Sequence, residues 1–296
     1  MSQDWDWVGQ STRRRPKIAW TFHADAPLRS LELVGETGMI LLADRAGFLA
    51  KIDSGGNRLR MVQGFRKLTR LATGRTADSP TFVAFQEELR MLGADFQTAW
   101  VRRFNHPISA LTVEPYGRWL AVALESGDGY LIGQNNERFS DFTSKPRPRH
   151  VVACGRKFEV TVATKYGRLE RFNETGDLLW TSDRFGNLGD MKTDHLSPRI
   201  WLAAYNHGVV SLERSGEPGP TFLVNGSPSR VAVSYDSRFL AVGTQEQSLY
   251  WLNNRGELLW ATHVAEEIQF LEVDPLGHWL LCGFESGKVV RIDWPR

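Results

Sequence analysis

A spacing of 40 residues runs through this chain and leaves few folds open to it. The stretches GRWLAVALESGDGYLIG (117–133), SRFLAVGTQEQSLYWLN (237–253) and GHWLLCGFESGKVVRID (277–293) share one grammar. Each has a few small or charged residues, an apolar run, a tight turn and a second alternating run. Trp119 and Phe239 stand 120 residues apart, and Phe239 and Trp279 stand 40 apart. Weaker copies at 38–53, 80–94, 158–173 and 199–214 fall on the same grid, which makes seven. A short alternating strand precedes each copy, and Leu31, Leu71, Leu111, Met191, Val231 and Leu271 lie at multiples of 40 from one another. The fourth of these strands, RHVVACG (149–155), reads as slipped by about one residue. A further strand follows each copy, as in RLRMVQ (58–63) and LLWATHV (258–264). Self-similarity at a fixed period marks an array of one supersecondary unit.

Gly and Pro punctuate the chain every ~8–12 residues, and no long window carries the 3.6-residue period of a helix. Four short antiparallel strands per ~40–45 residues describe a propeller blade. The expected fold is therefore all-β: a seven-bladed β-propeller with four antiparallel strands per blade. The last copy has three strands before the chain ends. KIAWTFH (17–23) is the strand it lacks, because a lone strand leaves backbone groups unpaired. Ala19-Trp20-Thr21 aligns with Leu259-Trp260-Ala261. The sequence thus predicts that 17–23 is the outer strand of the last blade, beside Val289–Asp293, and closes the ring. Residues 1–16 read as an N-terminal arm and 17–296 as a single domain.

These repeats resemble the WD40-like propeller superfamily from Lys17 to Arg296, with DSRFLAVGTQEQSLYWLN looking like its second and third strands. No blade ends its third strand in Trp-Asp, and no Gly-His precedes a first strand. The hydrogen-bond network built on those residues should be missing. The turns FNETGDLLW (172–180) and LNNRGELLW (252–260) are similar instead to quinoprotein-type repeats, with a Gly ahead of a docking Trp. Trp20, Trp100, Trp180 and Trp260 are spaced by 80 residues, or two blades, and read as wedges between neighbouring blades. The resemblance implies a fold, and fold alone does not supply function.

Chemistry is sparse. Nucleophile-elbow, zinc-protease, P-loop and dinucleotide motifs are all missing. Cys154 and Cys282 fall in blades four and seven, too far apart for a disulfide, and read as small buried hydrophobes. Two cysteines without CxxC spacing fit a reducing compartment, and no apolar leader precedes the repeats, so a cytoplasmic location is expected. No apolar run is long enough to cross a bilayer. No metal site and no cofactor is expected. Some propellers are sugar lactonases or lyases, with acids and bases converging at the channel mouth. Asp25, Glu32, Glu114, His150, Asp190, Asp194, His195 and Glu272 are the candidates here. The plainer account is that strands lining a channel carry polar residues because they face water.

Formal charge nearly cancels, 36 basic residues against 34 acidic, which argues against a general polyanion binder and makes nucleic acid an unexpected partner. The basic residues are nevertheless grouped, at 58–75, at 145–157 and in TRRRPK (12–17). Solvated loops would explain such runs. The arm, with Trp5 and Trp7, and the long proline-stiffened connection 143–149 are where the chain departs from minimal blades, and such departures carry function on rigid scaffolds. The expected function is a non-catalytic scaffold for a protein partner within a larger complex. Trp5, Trp7, Arg66, Lys67, His106, Lys145, Arg147 and Arg149 are the expected contacts.

Overall fold

The structure is a computed structural model, and it describes residues 15–145, 147–154, 158–164, 166–194 and 199–294. Among the described residues, twenty-eight strands form seven four-stranded antiparallel sheets. The first strand, β1 (Lys17–His23), stands apart from its sequence neighbours. Blade one is β2 (Leu28–Val34), β3 (Met39–Asp44), β4 (Phe48–Ile52) and β5 (Arg58–Gln63). Blade two is β6 (Arg70–Thr73), β7 (Thr81–Phe85), β8 (Glu88–Leu92) and β9 (Thr98–Arg103). Blade three is β10 (Ile108–Val113), β11 (Trp119–Leu124), β12 (Asp128–Gly133) and β13 (Arg138–Thr143). Blade four is β14 (Pro148–Cys154), β15 (Glu159–Thr164), β16 (Leu169–Phe172) and β17 (Leu178–Ser182). Blade five is β18 (Leu188–Thr193), β19 (Ile200–Ala204), β20 (Gly208–Leu212) and β21 (Pro218–Phe222). Blade six is β22 (Pro228–Val233), β23 (Phe239–Thr244), β24 (Ser248–Asn253) and β25 (Leu258–His263). Blade seven is β26 (Ile268–Val273), β27 (Trp279–Phe284) and β28 (Lys288–Asp293), completed by β1 in the order β26-β27-β28-β1.

The closure expected from the sequence is present: Lys17 pairs with Asp293 and His23 with Lys288. On the inside of the ring β2 packs beside both β6 and β26. Each of the seven apolar clusters is shared between two neighbouring sheets, so the core lies between blades. Side chains on a pleated strand alternate faces, and here both faces of each middle strand are covered. That is why the second strands read as continuous apolar runs such as WLAVAL.

The spacing of 40 also fixes the turns. Glu114, Ser234 and Asp274 stand at multiples of 40 and cap the hairpin between first and second strands. The Asp274 carboxylate accepts the Trp279 N–H at 2.8 Å, and the Ser234 hydroxyl accepts the Phe239 N–H at 3.1 Å. Such side-chain acceptors replace backbone partners lost in a turn. The spaced tryptophans wedge between blades as expected. Each of three donates its ring N–H to a turn 34 residues onward: Trp20 to Ser54 O, Trp100 to Gln134 O and Trp180 to Arg214 O. Trp180 lies over Gly216, where φ is 84° and a Cβ would come within 2.7 Å of the indole. The glycine that receives Trp180 is thus in the next blade, and the Gly176 four residues before it belongs to a different junction.

One expectation is corrected. Blade four keeps the common register, with Val151 opposite Val162 as Leu111 is opposite Val122. The irregular blade is the second, where Leu71 faces Val83, one residue late. An extra residue in the turn between β6 and β7 is removed again by a two-residue turn before β8, so the outer half of the blade returns to the grid.

Candidate functional site in the central channel

The seven innermost strands run side by side down the axis and wall a cavity of about 390 Å³. Their first residues lie on the face that also carries the turns from one blade to the next. Six of the seven have a bulge there: the pairing register shifts at Arg29, Ser109, Arg149, Gly189, Ser229 and Gln269. A bulge re-aims the extra residue's side chain out of the ladder. At this mouth it brings Arg29 and Arg149 onto one rim with Arg70 and Arg230 from the next position of their strands.

The rim is cationic. Arg230 donates to Gln269 O at 2.5 Å, to Ser229 O at 2.7 Å and to the Gln269 side-chain oxygen at 3.1 Å. Arg70 donates to Ser109 O at 3.2 Å. Burial, and then Arg149, Arg29 and Arg147, hold the Arg70 guanidinium below its usual pKa. Burial followed by Arg149, Arg230 and Arg70 depresses the His150 imidazole to about 3, so it is neutral, and its Nε2 has no hydrogen-bond partner among the described residues. Asp190 is the one acid among these positions. Its carboxylate accepts the N–H groups of Met191 at 2.9 Å and Val231 at 3.3 Å, and burial raises its pKa against the pull of Lys192 and Arg230.

Deeper in the channel the charges are paired. Lys192 Nζ lies 2.5 Å from Glu272 Oε1, and Arg75 Nη1 lies 3.3 Å from Glu272 Oε2. Arg75 comes from the lengthened turn of blade two and also donates to Leu33 O at 3.0 Å. Burial raises Glu272, but Lys192 and Arg75 outweigh it and hold the carboxyl below its ordinary range. Glu32 beside them keeps a partial view of the lumen while protein surrounds it. Desolvation lifts its pKa to about 7 although Lys192 opposes it, with the Glu272 charge adding to the rise.

Of the acids and histidines offered by the sequence, Glu32, His150, Asp190 and Glu272 line the channel. Glu114 caps its own turn and pairs with Arg118 at 2.7 Å, and Asp194 accepts the Ser237 hydroxyl, which in turn accepts the Trp201 N–H at 3.2 Å. Asp25 lies exposed in the turn between β1 and β2, and His195 falls outside the described residues. Among the described residues no three His, Cys, Asp or Glu side chains gather where they could hold a metal ion. Cys154 and Cys282 are buried and free, the first in β14 and the second in β27.

The expected partner contacts divide. Trp5 and Trp7 lie outside the described residues. Arg66 and Lys67 sit in the turn from blade one to two, His106 in the next, and Lys145 and Arg147 in the one after; all five are exposed on the face of the arginine mouth. Arg149 belongs to the mouth itself. Arg147 pairs with Glu125, and Arg66 donates to Ala46 O at 3.4 Å. Arg29, Arg70 and Arg230 were not among the expected contacts. A signal existed: Arg29 and Arg149 are three periods apart, and Arg70 and Arg230 are four.

No helix among the described residues is long and apolar enough to cross a membrane. No family model matches the chain, and no curated protein does. Among solved structures, the β-propeller domain of Cps50 (Swd1) from Myceliophteria thermophila is similar, with a TM-score of 0.80 at 16% identity over 94% of this chain and 99% of that one. At that identity the likeness carries the fold alone: the chain is a seven-bladed β-propeller.

Proposed function

We propose that this propeller is a non-catalytic scaffold, a subunit of a larger assembly, whose protein partner docks on the face of the blade-to-blade turns. The observation that supports this best is the arc of exposed basic side chains from blades one to four. Lys67 and Lys145 make no hydrogen bond or ion pair among the described residues. Charges left exposed and unpaired on one rigid face suit an acidic partner, where complementarity sets specificity and encounter rate. In the channel, by contrast, Glu272 is committed to Lys192 and Arg75, so it is unavailable for proton transfer. The arm with Trp5 and Trp7 offers residue types that anchor interfaces. The two buried free cysteines fit a reducing compartment such as the cytoplasm.

The test is affinity purification of the tagged chain from its own host at physiological salt, with quantitative mass spectrometry. A stoichiometric partner should co-elute with the wild type and be lost from the Arg66→Glu/Lys67→Glu/Lys145→Glu variant. Retention by the variant would remove the partner from this face. Elution of the wild type alone would overturn the scaffold reading.

A further inference from the structure

The four arginines at the channel mouth form no salt bridge among the described residues, and Asp190 is the one acid beside them. Arg29, Arg70, Arg149 and Arg230 come from four different blades, and none pairs with a carboxylate among the described residues. Arg29 and Arg149 are exposed and make no hydrogen bond there. Arg70 and Arg230 are held in place by backbone carbonyls of the neighbouring blade, Ser109 O and Gln269 O. That fixes their direction without cancelling their charge. Asp190 is the single acid at the rim, and its carboxylate is engaged with two backbone N–H groups. Like charges gathered at a partly desolvated rim repel, and they are stabilised when an anion enters.

From this geometry we propose that the mouth is a binding site for a small, free polyphosphorylated anion. Guanidinium groups suit this ligand because their planar forks bind phosphate oxygens in pairs. A set of donors converging from several blades fits a ligand carrying more than one phosphoryl group better than a single phosphate. The cavity behind the rim, about 390 Å³, lies within the range of small-molecule sites. The neutral His150, with Nε2 unpartnered among the described residues, adds one more polar atom to the wall. This assignment does not depend on the partner surface proposed above, because the mouth uses Arg29, Arg70, Arg149 and Arg230 and the partner test uses Arg66, Lys67 and Lys145.

The experiment is isothermal titration of the purified full chain with inorganic tripolyphosphate, with orthophosphate, citrate and a singly phosphorylated peptide as comparison titrants. Saturable one-to-one binding of tripolyphosphate is expected, at least about tenfold tighter than each comparison titrant. Arg29→Ala/Arg149→Ala should weaken it by about tenfold or more, the size expected when hydrogen bonds to charged groups are lost. Arg66→Ala/Lys67→Ala, on the same face but off the rim, should leave it within about twofold, since removing exposed charges outside the site changes only a screened field. Arg29 and Arg149 hold nothing else in place, so the double variant should keep the parent's circular dichroism, and each single substitution read alone should weaken binding. Absence of saturable binding, or equal loss in both double variants, would overturn the site. Citrate binding as tightly as tripolyphosphate would overturn the phosphate assignment, and a phosphopeptide binding more tightly would replace the small ligand by a macromolecular one.

Discussion

Glu32 carries a measurable consequence of its surroundings. Its pKa stands at about 7 in the folded chain against an ordinary 4.5, because desolvation outweighs the attraction of Lys192. A raised carboxyl pKa means that the folded state favours the protonated form. That contribution is complete below about pH 4.5 and is lost as pH rises through 7. The difference amounts to ~3 kcal/mol at most, and less if the lumen holds water that solvates the charge. Glu272 acts in the opposite sense: its lowered pKa contributes stability above its ordinary value that is lost in acid. Glu32→Gln should therefore match the wild type near pH 4.5 and exceed it near pH 8 by about 1–3 kcal/mol, read from urea midpoints at the two values. Equal gains at both would show that Glu32 does not titrate in this window. Nothing in the sequence announced this. Glu32 was legible as a channel residue, but its pKa depends on Lys192 and Glu272, which are 160 and 240 residues away. The tryptophans show the same limit more mildly. Their spacing gave away the inter-blade role, while the acceptors at Ser54, Gln134 and Arg214 came only with the packing.

At the scale of an element, the second blade is the informative one. Its copy PTFVAFQEELRMLGA was legible as weak, and the irregularity was expected in blade four. Strand register is set by turn lengths as well as by apolar alternation. An insertion before β7 compensated by a shorter turn after it leaves the 40-residue grid intact on both sides. The grid therefore conceals it. The longer turn has a use, because it carries Arg75 into the channel beside Glu272. Arg75→Ala would leave Glu272 paired with Lys192 alone and leave Leu33 O without this donor. Removing one member of a buried pair costs several kcal/mol when nothing else compensates; with Lys192 still present, a loss of about 1–3 kcal/mol is expected. In a Glu272→Gln background the same substitution should cost less, since the shared interaction has already gone. Additive losses in that cycle would mean that Arg75 acts only through its backbone contacts. The bulges explain why the arginine mouth escaped notice. Arg29 and Arg149 sit on one grid line and Arg70 and Arg230 on the next, and the two lines meet at one rim only after the extra residue swings out.

For the whole molecule, the decisive element is the strand that sits far from its sequence neighbours. The period and the missing fourth strand were enough to place β1 beside β28, and its register follows the sequence: Lys17 lies opposite Asp293. This register makes blade seven a hairpin with its turn removed. In the other junctions spanned by a spaced tryptophan, a turn supplies the carbonyl that accepts the indole N–H. Trp260 faces Trp294, which packs edge-on against it at 5.5 Å, and its Nε1 has no partner among the described residues. Lys17 and Asp293 therefore lie opposite each other where any other blade would have four or five turn residues between its third and fourth strands. A circular permutant should exploit this. Joining Trp294 to Lys17 through a short Gly-containing turn, and opening the chain between His23 and Leu28, converts blade seven into a continuous four-stranded sheet. It keeps the pairing of β1 with β28 and the seat of Trp20 over Gly56. The permutant should be a monomer with the parent's circular dichroism and a melting temperature no lower than the parent's, because the closing strand is now tethered locally and loop closure costs less for a short loop. A chain that simply starts at Ala24 should fail the same assay by aggregating, since it exposes the edge of β28. If that truncated chain stayed monomeric with an unchanged melting temperature, β1 would not be what closes the ring.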